Sequence, residues 1–343
     1  MTARGTHHER QPRDAAPHDG IRCGRARAGH IPNQDPPEAP LATLAPFHLE
    51  ATVRVLQRRA TNRVDVWEGG RYLRALATDD AVALVEIVNR GTIDDPDVRL
   101  VMLKGGVSAA ARATLGQVVR RMLGMDVDPV PLQSLAEAER RLRPTALALR
   151  GMRPPRFAGL FEAFANVVPF QQVSLDAGVA IVRRVVERFG KPLDSDGRRF
   201  FAFPAVEAIA GARVGALREC GLSLRKAETL REVARAIEGG QITEERLSGM
   251  DSEEAMRFLQ EQKGIGPWSA GLVLLRGLGR LDVFPPGDVG AARRLGMLLG
   301  LEPGRSLDRI VRRFGELRGY LYFCSLGGSL LSEGLIHAAS PPA

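Results

Sequence analysis

The chain has 343 residues, 44% hydrophobic and 26% charged, the balance of a globular protein with room for two or three packed domains. No apolar run approaches the ~18 residues that span a bilayer, and the N-terminus lacks the apolar core of a secretory signal. The net charge of +8 and pI of about 10.1 suit a polyanionic partner. That excess lies in the body of the chain, where residues beyond 45 hold 42 basic against 35 acidic groups.

Cysteine and histidine usage narrows the chemistry. Cys23, Cys220 and Cys324 are far apart, with no Cys-x-x-Cys pair, and beyond the tail only His48 and His337 remain. Zinc sites, Cys–His nucleophile pairs and Ser–His triads therefore lack parts. A reducing cytoplasm is the expected compartment.

In chain order, residues 1–45 carry six prolines and little apolar periodicity, which predicts a disordered tail. His7, His8, His18 and His30 belong to it and read as solvated. Residues 46–150 predict a small α+β domain. Phe47 to Val55 alternates like a strand, Val64–Val66 and Tyr72–Leu76 flank a Glu68-Gly69-Gly70 turn, and Ala81–Val88 and Val98–Leu103 extend an antiparallel sheet. Helical patterns follow at Ala109–Leu123 and about Leu132–Arg141. No Gly-rich phosphate loop follows a strand.

Gly151-Met-Arg-Pro-Pro-Arg-Phe157 marks a boundary, after which residues 151–335 read as helix after helix. The fold class is thus α+β, an antiparallel-sheet domain followed by a mostly helical region. The most informative stretch runs from Ser252 to Leu295. Ala255, Phe258 and Leu259 form an apolar helical stripe, with Asp251 or Ser252 as N-cap. Lys263-Gly264-Ile265-Gly266 then makes a tight turn, and Pro267-Trp268-Ser269 opens a second helix. Two glycines one residue apart permit positive φ and close approach of a phosphate to bare amides. Twenty residues after Trp268, Asp288 heads a third helix. Alone, each half reads as an ordinary helical hairpin and an ordinary N-cap.

Together these residues resemble the helix-hairpin-helix DNA glycosylase superfamily, whose glycine hairpin precedes an essential Asp by about twenty residues. Pro155-Arg-Phe-Ala-Gly-Leu-Phe, Gln171-Gln172-Val-Ser174, Gly221-Leu-Ser-Leu-Arg-Lys226, Gly264-Ile-Gly-Pro-Trp268-Ser and Arg318-Gly-Tyr320 are similar to its alkylation-repair branch, the DNA-3-methyladenine glycosylase II type. The similarity spans roughly Pro46 to Leu335. It implies a helical region of two lobes with the active-site cleft between them.

The resemblance implies a monofunctional glycosylase that flips an alkylated purine out of duplex DNA, hydrolyses its N-glycosidic bond and leaves an abasic site. Asp288 would be catalytic. Trp268, Phe170 and Tyr320 would stack on the base, and Trp268 stands where lyases of the superfamily carry a Lys. Gln171, Gln172, Lys263, Gly264, Ile265, Gly266 and Ser269 would meet DNA. One amide of the Gln171-Gln172 pair would plug the vacated stack and the other cap a helix end. Leu272 and Leu317 stand where relatives often carry aromatics. No cofactor is required, although the hairpin would hold Na⁺ or K⁺ on the backbone oxygens of Gln260, Gln262 and Ile265. Expected partners are double-stranded DNA and no membrane, with the protein monomeric and cytoplasmic at the nucleoid. Two alternatives stay open, a non-catalytic damage-binding protein of this fold and a glycosylase for deaminated bases.

Overall fold

The computed structural model describes residues 38–78, 81–302 and 307–340, so the expected tail up to residue 37 lies outside the described residues. Its last part does not behave as a tail. Glu38–Pro40 forms strand β1, paired antiparallel with residues 99–101.

The next segment corrects the strand expected at Phe47–Val55, which is helix α1 (Leu49–Gln57). Leu49, Val53 and Leu56 pack toward the sheet cluster, whereas Ala51 and Val55 join the helical core. Glu50 and Arg54 keep one polar face, but the apolar residues at 47, 49, 51, 53 and 55 also alternate, so the sequence fits a strand as well as a helix. His48 fixes its start, with Nδ1 accepting the Ala51 N–H at 3.3 Å.

Strands β2 (Val66–Glu68) and β3 (Arg71–Ala77) flank Gly69 and Gly70, whose φ values of 56° and 77° meet the demand of a two-residue hairpin turn. With β4 (Val82–Asn89) and β5 (Val98–Lys104) they complete an antiparallel sheet of order β1-β5-β4-β3-β2. Helices α2 (Ala109–Met122), α3 (Val130–Ala138) and α4 (Arg143–Ala148) follow. Leu115, Val119 and Met122 of α2 close over Tyr72, Ile87 and Leu100 of the sheet. Burying each such side chain contributes roughly 1.5–3 kcal/mol.

Beyond the boundary come α5 (Leu160–Ala165), a 3₁₀ turn at Val168–Phe170 and α6 (Leu175–Phe189). A hairpin of β6 (Lys191–Ser195) and β7 (Arg198–Ala202) then interrupts the helices, where no strand was expected. Its turn is Asp196-Gly197, both at positive φ, and Phe200 and Ala202 cover Leu73, Ala75 and Leu84 on the outer sheet face. Asp-Gly is a strong hairpin signal that the surrounding charges obscured.

The helical region continues through α7 (Val206–Ala210), α8 (Val214–Glu219), α9 (Leu224–Glu238), α10 (Glu244–Ser248) and α11 (Ser252–Gln260). It ends with α12 (Pro267–Val273), a π-helical turn at Leu274–Leu278, α13 (Val289–Leu298), α14 (Asp308–Arg313) and α15 (Arg318–Ser332). Among the described residues, no helix is long and apolar enough to cross a membrane. Arg74 ties sheet to helices: buried, it donates to Asp65 at 2.5 Å and to Glu162 of α5 at 2.6 Å.

Candidate active site

The α11–α12 hairpin is assembled from local signals. Asp251 and Glu254 form a reciprocal capping box at the head of α11. The two glycines then do different jobs. Gly264 has φ 86°, and a Cβ there would lie 2.0 Å from Thr229 Oγ1 on α9, so the fold itself demands glycine. Gly266 is extended at φ −93°, is exposed, and a Cβ there would meet nothing within 4 Å. The fold places no steric demand on that second glycine.

Across from the hairpin, the 3₁₀ turn presents Gln171 and Gln172 differently. Gln171 Nε2 donates to Gly264 O and to Ser269 Oγ, both at 2.9 Å, which locks turn to hairpin. Lys226 Nζ adds a second brace to Pro169 O at 3.0 Å. Gln172 is exposed at the tip with φ 54°, a left-handed conformation that costs a non-glycine residue roughly 1 kcal/mol or more.

These elements border a cleft of about 910 Å³. Asp288 lies on it as the N-cap of α13, with Oδ1 accepting the Ala291 N–H at 2.7 Å and Oδ2 accepting Trp268 Nε1–H at 3.0 Å. Two donors from two elements thus hold the carboxylate in one orientation. Trp268 is half-buried, and its indole both lines the cleft and steers Asp288. Phe170 lines the cleft with its ring seated on Gly178 of α6, where any Cβ would lie 2.3 Å from it.

Several expected contacts move. Tyr320 does not line the cleft; it is buried, its hydroxyl is 3.5 Å from Asp128 O, and burial pushes its pKa up to about 12. Tyr322 lines the cleft instead. Residues two apart on a helix are some 200° apart, and α15 is buried around most of its surface, so sequence spacing offered no way to choose between them. Ser269 is only 2% exposed and its hydroxyl accepts from Gln171, so its side chain braces the turn. Ile265 puts its side chain in the core, and Lys263 is exposed without lining the cleft.

Other cleft residues were not anticipated. The segment after α1 forms one wall, so the sheet-bearing half contributes Arg58, Arg59, Asn62 and Arg63. Arg276 and Arg294 line the cleft as well, and Val289 sits at its edge with 79% exposure. A basic residue in a loop carries no label of its own, and only the tertiary fold shows where these converge.

Backbone oxygens were the expected cation ligands. Gln262 O accepts the Ile265 N–H at 3.0 Å, and Gln260 ends α11, where helix carbonyls lack intrahelical donors. Hard neutral oxygens of this kind suit an alkali cation. Among the described residues, no group of three or more His, Cys, Asp or Glu is placed to hold a metal.

A glycine hairpin beside a cleft, with a doubly anchored aspartate twenty residues downstream on an α+β scaffold, defines a class that comparison names. Residues 166–317 match the HhH-GPD superfamily base excision DNA repair protein family, and residues 39–158 match the AlkA N-terminal domain. The chain belongs to the helix-hairpin-helix base excision DNA repair superfamily, in its alkylation-repair branch. It is 26% identical over 267 residues to a DNA-3-methyladenine glycosylase of Bacillus subtilis, covering 77% of this chain and 87% of that protein. Over 276 residues it is 28% identical to DNA-3-methyladenine glycosylase 2 of Escherichia coli, covering 80% and 92%. The solved 3-methyladenine DNA-glycosylase of Archaeoglobus fulgidus superposes with a TM-score of 0.70 at 29% identity, covering 86% of this chain and 99% of that one.

Proposed function

We propose that the protein is a monofunctional DNA glycosylase that hydrolyses the N-glycosidic bond of alkylated purines in duplex DNA, of the 3-methyladenine and 7-methylguanine type. The observation that carries this reading is Asp288, held by the Trp268 indole and the Ala291 amide at a cleft bordered by a phosphate-approachable hairpin. A structural N-cap needs only the Ala291 contact; the indole bond fixes the second oxygen as well.

The base of an intact duplex is out of reach, so the nucleotide must leave the stack at a cost of roughly a few kcal/mol. The exposed Gln172 amide, held out by its left-handed backbone, fills the vacated position, while Gln171 keeps the turn locked to the hairpin. The bare edge at Gly266 and the first amides of α12 receive a phosphate. A purine methylated at N3 or N7 is cationic and stacks on the Trp268 indole face.

As the C1′–N bond breaks, positive charge builds on the sugar and the fixed Asp288 carboxylate stabilises it. Water completes the hydrolysis, with its hydroxyl bound to C1′ and its proton gained by the departing base or by solvent. Trp268 occupies the position where a lyase needs an amine, so no Schiff base forms and the strand stays intact. Carbonyls of Gln260, Gln262 and Ile265 would hold a monovalent cation that adds positive charge beside the bound phosphate.

The decisive experiment measures base release from dimethyl-sulfate-treated duplex, wild type beside Asp288→Asn. Wild type should free methylated purines and leave uncleaved abasic strands. The variant should bind the same duplex and release bases ~10²–10³ more slowly. Binding by both proteins without release by either would leave a damage-binding protein in which Asp288 is only a cap.

A further inference from the structure

Among the arginines that line the cleft beside Asp288, Arg58, Arg276 and Arg294 are at least partly buried. Among the described residues none of these three is within ion-pair distance of a carboxylate, unlike Arg59 and Arg183 of the same cleft. Arg276 is 3% exposed, and its contacts are Val55 O at 3.3 Å, the Phe157 ring at 4.7 Å and the Tyr322 hydroxyl. Arg58 rests 5.8 Å from the Phe170 ring centroid, and its backbone has φ 56°. Of the three non-glycine residues held at positive φ among the described residues, Arg58 and Gln172 both border this cleft.

The cluster opposes itself. Burial pulls Arg276 and Arg294 below the usual guanidinium range, and the charge of Arg58 lowers both further. Asp65 offsets this in part at Arg276 and Asp288 at Arg294, and an anionic ligand beside the three would relieve the repulsion that remains. The three guanidiniums thus share one cavity with Trp268 and Asp288.

Bond cleavage makes that placement chemical. The electron pair of the C1′–N9 bond leaves with the base. An N-methylated cationic purine departs neutral, whereas an unmethylated purine departs as an anion that must be stabilised before it takes up the proton released by water. We propose that Arg58, Arg276 and Arg294 form a leaving-group site, which stabilises the anion of a neutral 6-oxopurine while Asp288 stabilises the sugar. A guanidinium also matches the acceptor pair O6 and N7 of such a base. The proposal rests on the glycosylase reading above, and it makes the sheet-bearing half, through Arg58, a participant in the reaction.

The test compares single-turnover release of hypoxanthine and of 7-methylguanine from otherwise identical duplexes, for wild type, Arg58→Met, Arg58→Lys and Arg294→Gln. The hypoxanthine-to-7-methylguanine rate ratio should fall about 10-fold or more in Arg58→Met and Arg294→Gln, in keeping with the loss of one charge-stabilising donor. Arg58→Lys should restore part of the ratio. Both variants lie outside the fully buried core, and thermal unfolding checks their folding. An unchanged ratio in both folded variants overturns the proposal, including the case where both rates fall together as for a phosphate contact. Wild type that frees 7-methylguanine but no hypoxanthine also overturns it, with the glycosylase reading intact. If wild type frees neither base, that reading falls and takes this one with it.

Discussion

At the residue scale, Gly264 and Gly266 separate what the fold needs from what a ligand needs. Gly264→Ala must place a methyl on Thr229 while holding φ near 86°, so it should destabilise the protein by about 1–3 kcal/mol, read as a lower melting temperature. Gly266→Ala meets no atom within 4 Å at an ordinary φ and should melt as wild type does. Its methyl nonetheless covers the edge assigned to a phosphate, so affinity for every duplex should drop, damaged or intact. Wild-type affinity in Gly266→Ala would remove the hairpin from the DNA interface. The spacing of Gly264, Trp268 and Asp288 was legible because turn and cap chemistry are written locally. The bond from Trp268 to Asp288 was not, since it depends on how α12 and α13 pack.

At the element scale, α1 shows why a strand was read where a helix stands. Its apolar residues face two cores, so Phe47, Leu49, Ala51, Val53 and Val55 mimic alternation. The sheet turn at Gly69-Gly70 was legible, because a two-residue hairpin requires residues that tolerate positive φ. The cap of α1 makes a pH prediction. His48 must be neutral for Nδ1 to accept from Ala51, while Nε2 lies 2.9 Å from His337 O. Burial lowers its pKa below the ordinary 6.5, the largest influence on it, against the His337 contact and Glu50. Because the folded pKa is depressed, the unfolded chain binds the proton first. The contribution is full above 6.5 and is lost as pH falls through the folded value. Wild type should therefore lose stability between pH 7.5 and 5.5 by more than His48→Asn, whose amide caps without titrating. The difference should be about 1 kcal/mol. Parallel pH profiles would show that the cap does not depend on the neutral ring.

For the whole molecule, composition gave a charge and the fold gives it a place. Arg63, Arg225 and Arg293 all border the cleft, all are exposed, and none has a side-chain bond or ion pair among the described residues. They come from the segment after α1, the start of α9 and the first turns of α13, so no sequence window joins them. Some arginines elsewhere on the surface, such as Arg90 with Glu38 and Arg198 with Glu68, are neutralised locally. Part of the net charge of +8 is thus gathered at the cleft. If these three neutralise phosphates, the logarithm of the association constant should fall with the logarithm of salt concentration at a slope steeper than about −2.7. Replacing all three with Gln should flatten that slope by about 2.7 and weaken damaged and undamaged duplexes alike, because phosphate contacts carry no base information. Base release at saturating protein should survive, since Asp288 and Trp268 are untouched. A slope that stays unchanged would place the DNA on another face, and the cleft would then need a substrate that reaches it without a duplex.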